Sequence, residues 1–142
     1  MVFATDSEET RQQRAVIGSL LRNCGIIGPG DWVLTLHVSG HLYRALDLMA
    51  ETMEGSGATV LCAGSAMEQD DIFETLVEYR VNVIAGDSGQ VMQLSRYISS
   101  FPEEQKKQLL VNKVIYTSEP MTPGHAVRIV YIVVTALPMS SI

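Results

Sequence analysis

The chain has 142 residues, which is about one domain at the usual size of ~150 residues. Hydrophobic residues make up 46% and charged residues 18%, so the chain can bury a core and a wholly disordered chain is excluded. With 10 Lys and Arg against 16 Asp and Glu, the formal charge is −6. Because phosphate neutralisation needs clustered basic residues, we predict a globular domain that does not bind nucleic acid.

The spacing of apolar residues predicts a regular alternation of helices and strands. Helices are predicted over residues 7–23, 42–53, 68–79, 88–98 and 103–110, with a further helix beginning at Pro123. Strands are predicted over residues 32–37, 58–63, 82–85 and 111–116. The second strand reads ATVLCA without polar alternation, which is typical of parallel strands that are covered on both faces. We therefore predict an α/β fold with three layers: a mostly parallel sheet of about four strands with helices on both faces.

The same spacing predicts which residues point inward. In the first helix the apolar positions that follow the helical period are Val16, Ile17, Leu20 and Leu21. Leu42 is predicted to begin the inward face of the second helix, and Tyr79 to close that of the third.

The two cysteines, Cys24 and Cys62, have neither a disulfide framework nor the spacing of metal ligands around them. We predict that both are buried thiols in a reducing compartment and that the chain holds no metal site. The N-terminal residues are acidic and polar, unlike a signal peptide. The longest apolar run, residues 129–137, is far shorter than the ~20 residues of a membrane span. We therefore expect a cytoplasmic protein without a membrane span.

The residues that follow the strands are the first candidates for a binding site, because open parallel sheets bind ligands beyond the carboxyl ends of their strands. Four segments follow the predicted strands, at residues 37–40, 63–66, 86–89 and 117–120. Three of them are rich in Gly and Ser, and three carry an ionisable group. Small residues let a ligand approach the backbone, but they are also the ordinary capping residues of such turns. Both interpretations remain open for any one segment taken alone.

Four stretches, taken in order, resemble the adenylate-forming acyl-CoA ligases, and specifically the phenylacetate-CoA ligase-like branch. They are GIIGPGDWVLTLHVSGHLY, EGSGATVLCAGS, VEYRVNVIAGDSGQVMQLSRY and KVIYTSEPMTP. The resemblance covers about residues 7–128, and we interpret residues 1–128 as part of the family's N-terminal region. Residues 129–142 depart from it as an atypical apolar tail.

The resemblance implies a reaction in two steps. A small-molecule carboxylate attacks ATP with the help of Mg²⁺ to give acyl-AMP, and the thiol of CoA then displaces AMP. The residues that match the nucleotide-binding loop of the family are Thr117, Ser118, Glu119 and Pro120. The residues that match the substrate pocket are His37, Gly40, His41, Gly86, Asp87 and Ser88.

This sequence also departs from the family pattern. It contains neither a phosphate loop of the TSGTTG type nor the Tyr-Gly-x-Thr-Glu motif, and Thr117 stands where the family more often has Gly. We therefore assign no catalytic residue and expect no adenylation by this chain alone. The alternative is a small non-catalytic α/β module that binds a nucleotide or a protein. A flavodoxin-like domain ranks last, because no early Ser/Thr phosphate loop is present. Apolar surface left uncovered on such a piece predicts an oligomer or an aggregate.

Overall fold

The alternation of helices and strands is seen in a computed structural model, which describes residues 7–40, 42–117 and 122–124. The helices are α1 (Ser7–Asn23), α2 (Ala45–Gly55), α3 (Gln69–Glu78), α4 (Ser88–Ser99) and α5 (Glu103–Lys106). The strands are β1 (Trp32–Thr35), β2 (Ser39–Gly40), β3 (Tyr43–Arg44), β4 (Thr59–Cys62), β5 (Val83–Asp87) and β6 (Lys113–Thr117). The predicted tail, residues 129–142, lies outside the described residues.

Four of these strands form one parallel sheet in the order β4-β1-β5-β6. Leu34 of β1 pairs with Leu61 on one side and with Ile84 on the other, and Ile84 pairs in turn with Val114. All three pairings are parallel. The predicted α/β class with a mostly parallel sheet of four strands is therefore confirmed.

The sheet buries apolar side chains on both of its faces. One cluster packs between the sheet and α3 and α4, and it includes Leu34, Leu36, Ile72, Leu76, Ile84, Val91, Leu94 and Ile98. The other packs on the face that carries α1 and α2, and it includes Ile27, Val33, Met53, Val83 and Ala85. Neighbouring residues of β1 and β5 belong to different clusters, because successive side chains of a strand point to opposite faces. This alternation produces the three layers.

The strand order contains a switch point between β1 and β5. From β1 the chain crosses to β4 on one side, and from β4 it returns to β5 on the other side of β1. The connections on either side of this pair therefore lead away in opposite directions. In open parallel sheets, a crevice forms at the carboxyl ends of such a pair of strands. The carboxyl ends of β1 and β5 are thus the place where the topology alone locates a site.

At the opposite edge, Asp31 ties the amino ends of three strands together. Its carboxylate accepts hydrogen bonds from Lys113 Nζ at 3.0 Å, from Asn82 Nδ2 at 2.8 Å and from the Gly28 amide at 3.0 Å. Partial burial alone would raise the pKa of Asp31, but these hydrogen bonds and the charge of Lys113 outweigh it, and the pKa lies below its ordinary value. These hydrogen bonds of Asp31 therefore hold β1, β5 and β6 together at their amino ends, away from the candidate site.

The inward face of α1 differs from the one predicted. Val16, Ile17 and Leu20 are 67%, 46% and 59% exposed, whereas Arg14 and Gly18 are the buried residues of the helix. The reason is the close approach of α2, whose backbone lies against Gly18 at a distance that leaves no room for a large side chain. The prediction from the apolar period was therefore wrong for these three residues, because helix contact here depends on a small residue. The fourth predicted residue, Leu21, is partly buried and packs against the core.

Two other predicted inward residues are exposed. Leu42 lies in a tight turn at a positive φ of 65°, between β2 and β3, so α2 begins after it rather than at it. The sequence analysis did not predict this two-stranded antiparallel hairpin. Tyr79 follows the end of α3 and is 45% exposed, with its ring stacked on that of Trp32 at a centroid distance of 6.4 Å. Leu42 lies outside the helix, and Tyr79 lies at the end of one, so the helical period does not fix the direction of either side chain.

The predicted burial of the two cysteines was also wrong. Cys24 and Cys62 are both exposed and unpaired. Cys24 follows the last residue of α1, and Cys62 ends β4, which is an edge strand of the sheet. Cys62 therefore has no neighbouring strand on the outer side of β4 among the described residues, and Cys24 lies beyond the end of its helix.

The exposed apolar residues of α1 lead us to expect self-association. Val16, Ile17 and Leu20 form an outer stripe on this helix, and water contact with such a stripe favours association. Light scattering at rising concentration should show species larger than a monomer. Ile17→Lys should reduce their amount, whereas Ser19→Lys adds the same charge at an exposed polar position and should not. A monomer at every concentration would contradict this expectation.

Candidate functional site

Four polar side chains meet at the carboxyl ends of β1, β5 and β6. His37 lies two residues beyond β1 and is only 1% exposed. Its Nδ1 is 2.8 Å from Thr35 Oγ1, and its Nε2 is 3.0 Å from Thr117 Oγ1. Thr117 Oγ1 in turn donates to Asp87 Oδ1 at 3.3 Å. We call this set, Thr35, His37, Thr117 and Asp87, the strand-end network.

The direction of each hydrogen bond in the strand-end network follows from Asp87. A carboxylate only accepts, so the hydroxyl proton of Thr117 is committed to Asp87. Thr117 Oγ1 must then accept from His37, which assigns the ring proton to Nε2. Nδ1 is left as an acceptor and receives the hydroxyl proton of Thr35. All three hydrogen bonds of the strand-end network can form when His37 is neutral and its ring proton is on Nε2.

Burial keeps His37 neutral. Removal from water lowers the pKa of His37 below its ordinary value, and the nearby charge of Asp87 opposes that shift without reversing it. The ring is therefore uncharged near pH 7 and acts as a neutral donor at Nε2. A buried neutral ring that holds two hydroxyl groups is suited to positioning Thr117, and it does not present a free base to a ligand.

The depressed pKa of His37 predicts that acid destabilises the fold. Between the ordinary histidine pKa of 6.5 and the lower pKa of the folded state, the unfolded chain binds more protons at this position than the folded chain does. The free energy of unfolding should therefore fall as the pH is lowered below this value. Urea denaturation at several pH values between 7.5 and 5 measures the slope.

His37→Gln supplies the control for this pH dependence. The variant retains the other histidines and removes only the group in the strand-end network. Its free energy of unfolding should depend less on pH over the same interval. An unchanged slope in the variant would show that another group causes the effect.

The turn from β5 into α4 supports the network. Asp87 precedes the first residue of α4 and forms a capping box with Gln90, whose Oε1 accepts from the Asp87 amide at 3.1 Å. A Cβ on Gly86 would lie 3.3 Å from Leu36 Cβ and 3.4 Å from Gln90 Oε1, so this backbone packs closely against the segment after β1. Ser88 is the first residue of α4 and is half-buried. The sequence residues Gly86, Asp87 and Ser88 thus lie together beside His37 and Thr117.

The other predicted site residues are not part of this network. Gly40 lies in the exposed β2–β3 hairpin, where it pairs with Tyr43. His41 lies outside the described residues, as do three of the four residues predicted to bind the nucleotide, Ser118, Glu119 and Pro120. Of that loop the structure describes Thr117, which ends β6. The predicted roles of these residues remain predictions.

A small cavity lies near the network at the carboxyl ends of β1 and β4. It measures about 30 Å³ and is lined in part by Leu36, Gly64, Gln69 and Gln90. The Oε1 atom of Gln69 is buried without a hydrogen-bond partner among the described residues. A space of this size holds about one water molecule. This recess by itself is therefore too small for an acyl group.

Sequence reasoning missed Thr35 and the link between its hydroxyl and His37. Residues two apart on a strand share a face, and Thr35 and His37 are consecutive polar positions on one face of an otherwise apolar segment. That spacing was a usable signal. The contact between Thr117 and Asp87 joins residues 30 positions apart and depends on the pairing of β5 with β6. No local pattern predicts that contact.

Comparison with known proteins gives a structural likeness only. No protein-family model matches the sequence, and no curated protein matches it. A solved structure of 2-hydroxyisobutyryl-CoA ligase in the postadenylation state shares 17% identity over 92% of this chain and 28% of that one, with a TM-score of 0.77. An open conformation of the ligase in complex with 2-HIB-AMP and CoA shares 18% identity over 85% of this chain and 27% of that one, with a TM-score of 0.68.

The likeness shows the fold, and the chain spans a little over a quarter of the length of these ligase structures. In those proteins the same arrangement of strands and helices belongs to a larger enzyme that was crystallised with an acyl-AMP and, in one structure, CoA. Among the residues described for the present chain, no helix is long and apolar enough to span a membrane.

Proposed function

We propose that the chain is part of an adenylate-forming acyl-CoA ligase of the phenylacetate-CoA ligase-like branch. Its strand-end network would form one wall of the site for the nucleotide and the acyl group. Three observations support the proposal: the sequence resemblance, the shared fold, and polar side chains that meet at the topological switch point. The network is the observation that carries it, because it lies where this fold binds ligands.

In this proposal the residues of the network have different roles. Thr117 leads directly into Ser118, Glu119 and Pro120, the loop that we propose contacts the adenine nucleotide. Because Asp87 accepts the Thr117 hydroxyl proton and His37 donates to its oxygen, the end of β6 is fixed from two sides. His37 is then a positioning residue, since it is too buried to touch a ligand. Gly86, Ser88, Gly40 and His41 would line the acyl side of the wall.

The chemistry proposed for the whole protein is activation of a small carboxylic acid and transfer to CoA. Bound ATP would supply the adenylyl group, and Mg²⁺ would neutralise its phosphates. The described residues contain no group of three or more side chains that could hold a metal ion, so this chain offers no complete Mg²⁺ site of its own within that part. We propose that the chain alone binds AMP or ATP weakly and does not catalyse adenylation.

The location that we propose is the cytoplasm. Both cysteines are exposed and unpaired, and exposed thiols persist in a reducing compartment.

Calorimetric titration with AMP tests the proposed nucleotide site. The chain should bind AMP, and Thr117→Val should abolish or strongly weaken binding, because valine keeps the shape and removes the hydroxyl. Thr59→Val is the matched control, since Thr59 is exposed at the amino end of β4, whereas the proposed site lies at the carboxyl ends of the strands. Glu119→Ala should also weaken binding. Equal affinities for AMP in all of these variants would contradict the proposal.

A non-catalytic nucleotide- or protein-binding module is the second candidate, which the shallow recess beside the network favours. The two candidates differ in a pyrophosphate-release assay with ATP and aryl or fatty acids once the rest of a ligase is supplied as a separate chain. Restored release supports the ligase. AMP binding without any restored activity supports the module.

A further inference from the structure

A second cleft lies between the amino-terminal halves of α1 and α2, next to β3. Arg14 of α1 pairs with Glu51 of α2, and Gly18 of α1 lies against Gly55 of α2. In both contacts the residue of α2 follows its partner by 37 positions. The two helices therefore run in the same direction. Their first residues lie at the same level, and the cleft between them has a volume of about 730 Å³. This volume falls within the range of small-molecule sites.

Positive charge is concentrated in this cleft although the chain carries a net charge of −6. Three arginines, Arg11, Arg14 and Arg44, contribute to its lining, against one carboxylate, Glu51. Arg44 also approaches Asp47 at 3.6 Å, but both side chains are exposed and such a pair is weak, so Arg44 remains able to bind an anion. The amino ends of both helices add partial positive charge at the same place.

Arg14 supplies an independent sign of a ligand. The residue is 7% exposed, and one terminal nitrogen of its guanidinium binds Glu51. Its Nε is buried and has no hydrogen-bond partner among the described residues. An unsatisfied buried donor costs stability, and an arginine that lines a cleft gains partners when an anion enters. The fold therefore leaves one buried donor of Arg14 without a partner, in a cleft to whose lining Arg11 and Arg44 also contribute.

We propose that this cleft binds the phosphate group of a small phosphorylated molecule. Guanidinium groups match the oxygens of phosphate in geometry and charge, and a phosphate offers enough oxygens to engage several arginines at once, which a single carboxylate does not. Tyr43 and Leu48 give the cleft an apolar side against which the rest of such a molecule packs. The site is separate from the strand-end network and does not depend on the proposed ligase function.

Calorimetric titration with inorganic pyrophosphate at low ionic strength tests this site in the full chain. We expect saturable binding of one pyrophosphate. Arg11→Gln and Arg44→Gln should each weaken it at least fivefold, and both positions are exposed, so the variants should fold. Arg22→Gln and Arg96→Gln are matched controls, since they remove the same charge from exposed positions outside the cleft. These controls should bind as the unaltered chain does.

Glu51→Gln gives the opposite result if the proposal is correct. It removes the one carboxylate among the described residues that line the cleft and releases Arg14, so pyrophosphate should bind more tightly, whereas Glu78→Gln on α3 should change nothing. Thr117→Val should leave pyrophosphate binding intact, which separates this site from the AMP site. No saturable binding, equal losses in the control variants, or acetate binding as tightly as pyrophosphate would each overturn the proposal.

Discussion

Gly18→Ala is expected to lower the free energy of unfolding by about 1–3 kcal/mol, the usual cost of overpacking a tight interior. A Cβ at this position would lie 2.8 Å from the carbonyl oxygen of Thr52, and 2.9 Å and 3.1 Å from the carbonyl carbon and Cα of Gly55. All three atoms belong to the backbone of α2, so no side chain can rotate to make room. The helices must move apart, and the Arg14–Glu51 pair beside the contact moves with them.

Urea denaturation measures this effect, with two matched variants as controls. Gly55→Ala adds a Cβ whose nearest neighbour is the Gly18 Cα at 3.8 Å, which is ordinary contact. Ser19→Ala changes an exposed residue of the same helix. Both should stay within about 1 kcal/mol of the unaltered chain. If Gly18→Ala were as stable as Ser19→Ala, the close crossing of α1 and α2 would be wrong.

His37→Leu is expected to cost about 1–3 kcal/mol for the buried hydroxyl that it leaves unpaired, in addition to the lost packing of the ring. Thr35 is fully buried, and its hydroxyl is hydrogen-bonded to Nδ1 of His37. Thr117 loses the donor at Nε2 but keeps its hydrogen bond to Asp87. The variant should therefore destabilise the fold and also weaken AMP binding, because the end of β6 is held from one side only.

The double variant Thr35→Val with His37→Leu separates the hydrogen bond from the packing. Removal of both partners leaves no unpaired hydroxyl, so the double variant should be more stable than the sum of the single losses predicts. Chemical denaturation of the four proteins in this cycle gives the coupling energy. Additive losses would mean that Thr35 and His37 do not interact.

The layers of this fold were predictable because they depend on repeating patterns. Continuous apolar strands such as ATVLCA indicate a parallel sheet, and the alternation with helices indicates coverage of both faces. A prediction of the fold class from these patterns stays correct even when the predicted ends of a helix or strand are wrong by a few residues. The predicted strand over residues 82–85 is two residues shorter at its carboxyl end than β5, which ends at Asp87, and the fold class was still correct.

The details that failed depend on single contacts in space. The apolar period of α1 predicted an inward stripe, but α2 approaches so closely that a glycine and an ion-paired arginine face it instead. The sequence contains one hint of this polar face, since Arg11 and Arg14 are three residues apart and so lie on the same side of α1. Which side of that helix meets another element is decided by α2, which begins 22 residues after α1 ends. No rule of local spacing supplies that information.

The candidate site shows the same division. Its place at the strand ends followed from the topology, and His37, Asp87 and Thr117 were all singled out from the sequence for this edge. Their hydrogen-bonded order, and the neutral state of His37 that results from burial, required the pairing of β1, β5 and β6. The sequence resemblance suggested contact with a substrate for His37. Because His37 is buried, we propose instead that it acts through Thr117.

The central claim is that the carboxyl edge between β1 and β5 is a nucleotide site. Amide chemical shifts of ¹⁵N-labelled protein during titration with AMP test it most directly. We expect saturable shifts that are largest at Gly86, Asp87, Ser88 and Thr117, with little change at Asp31 and Asn82 on the opposite edge. Saturable shifts confined to that opposite edge, or none at any AMP concentration, would contradict it.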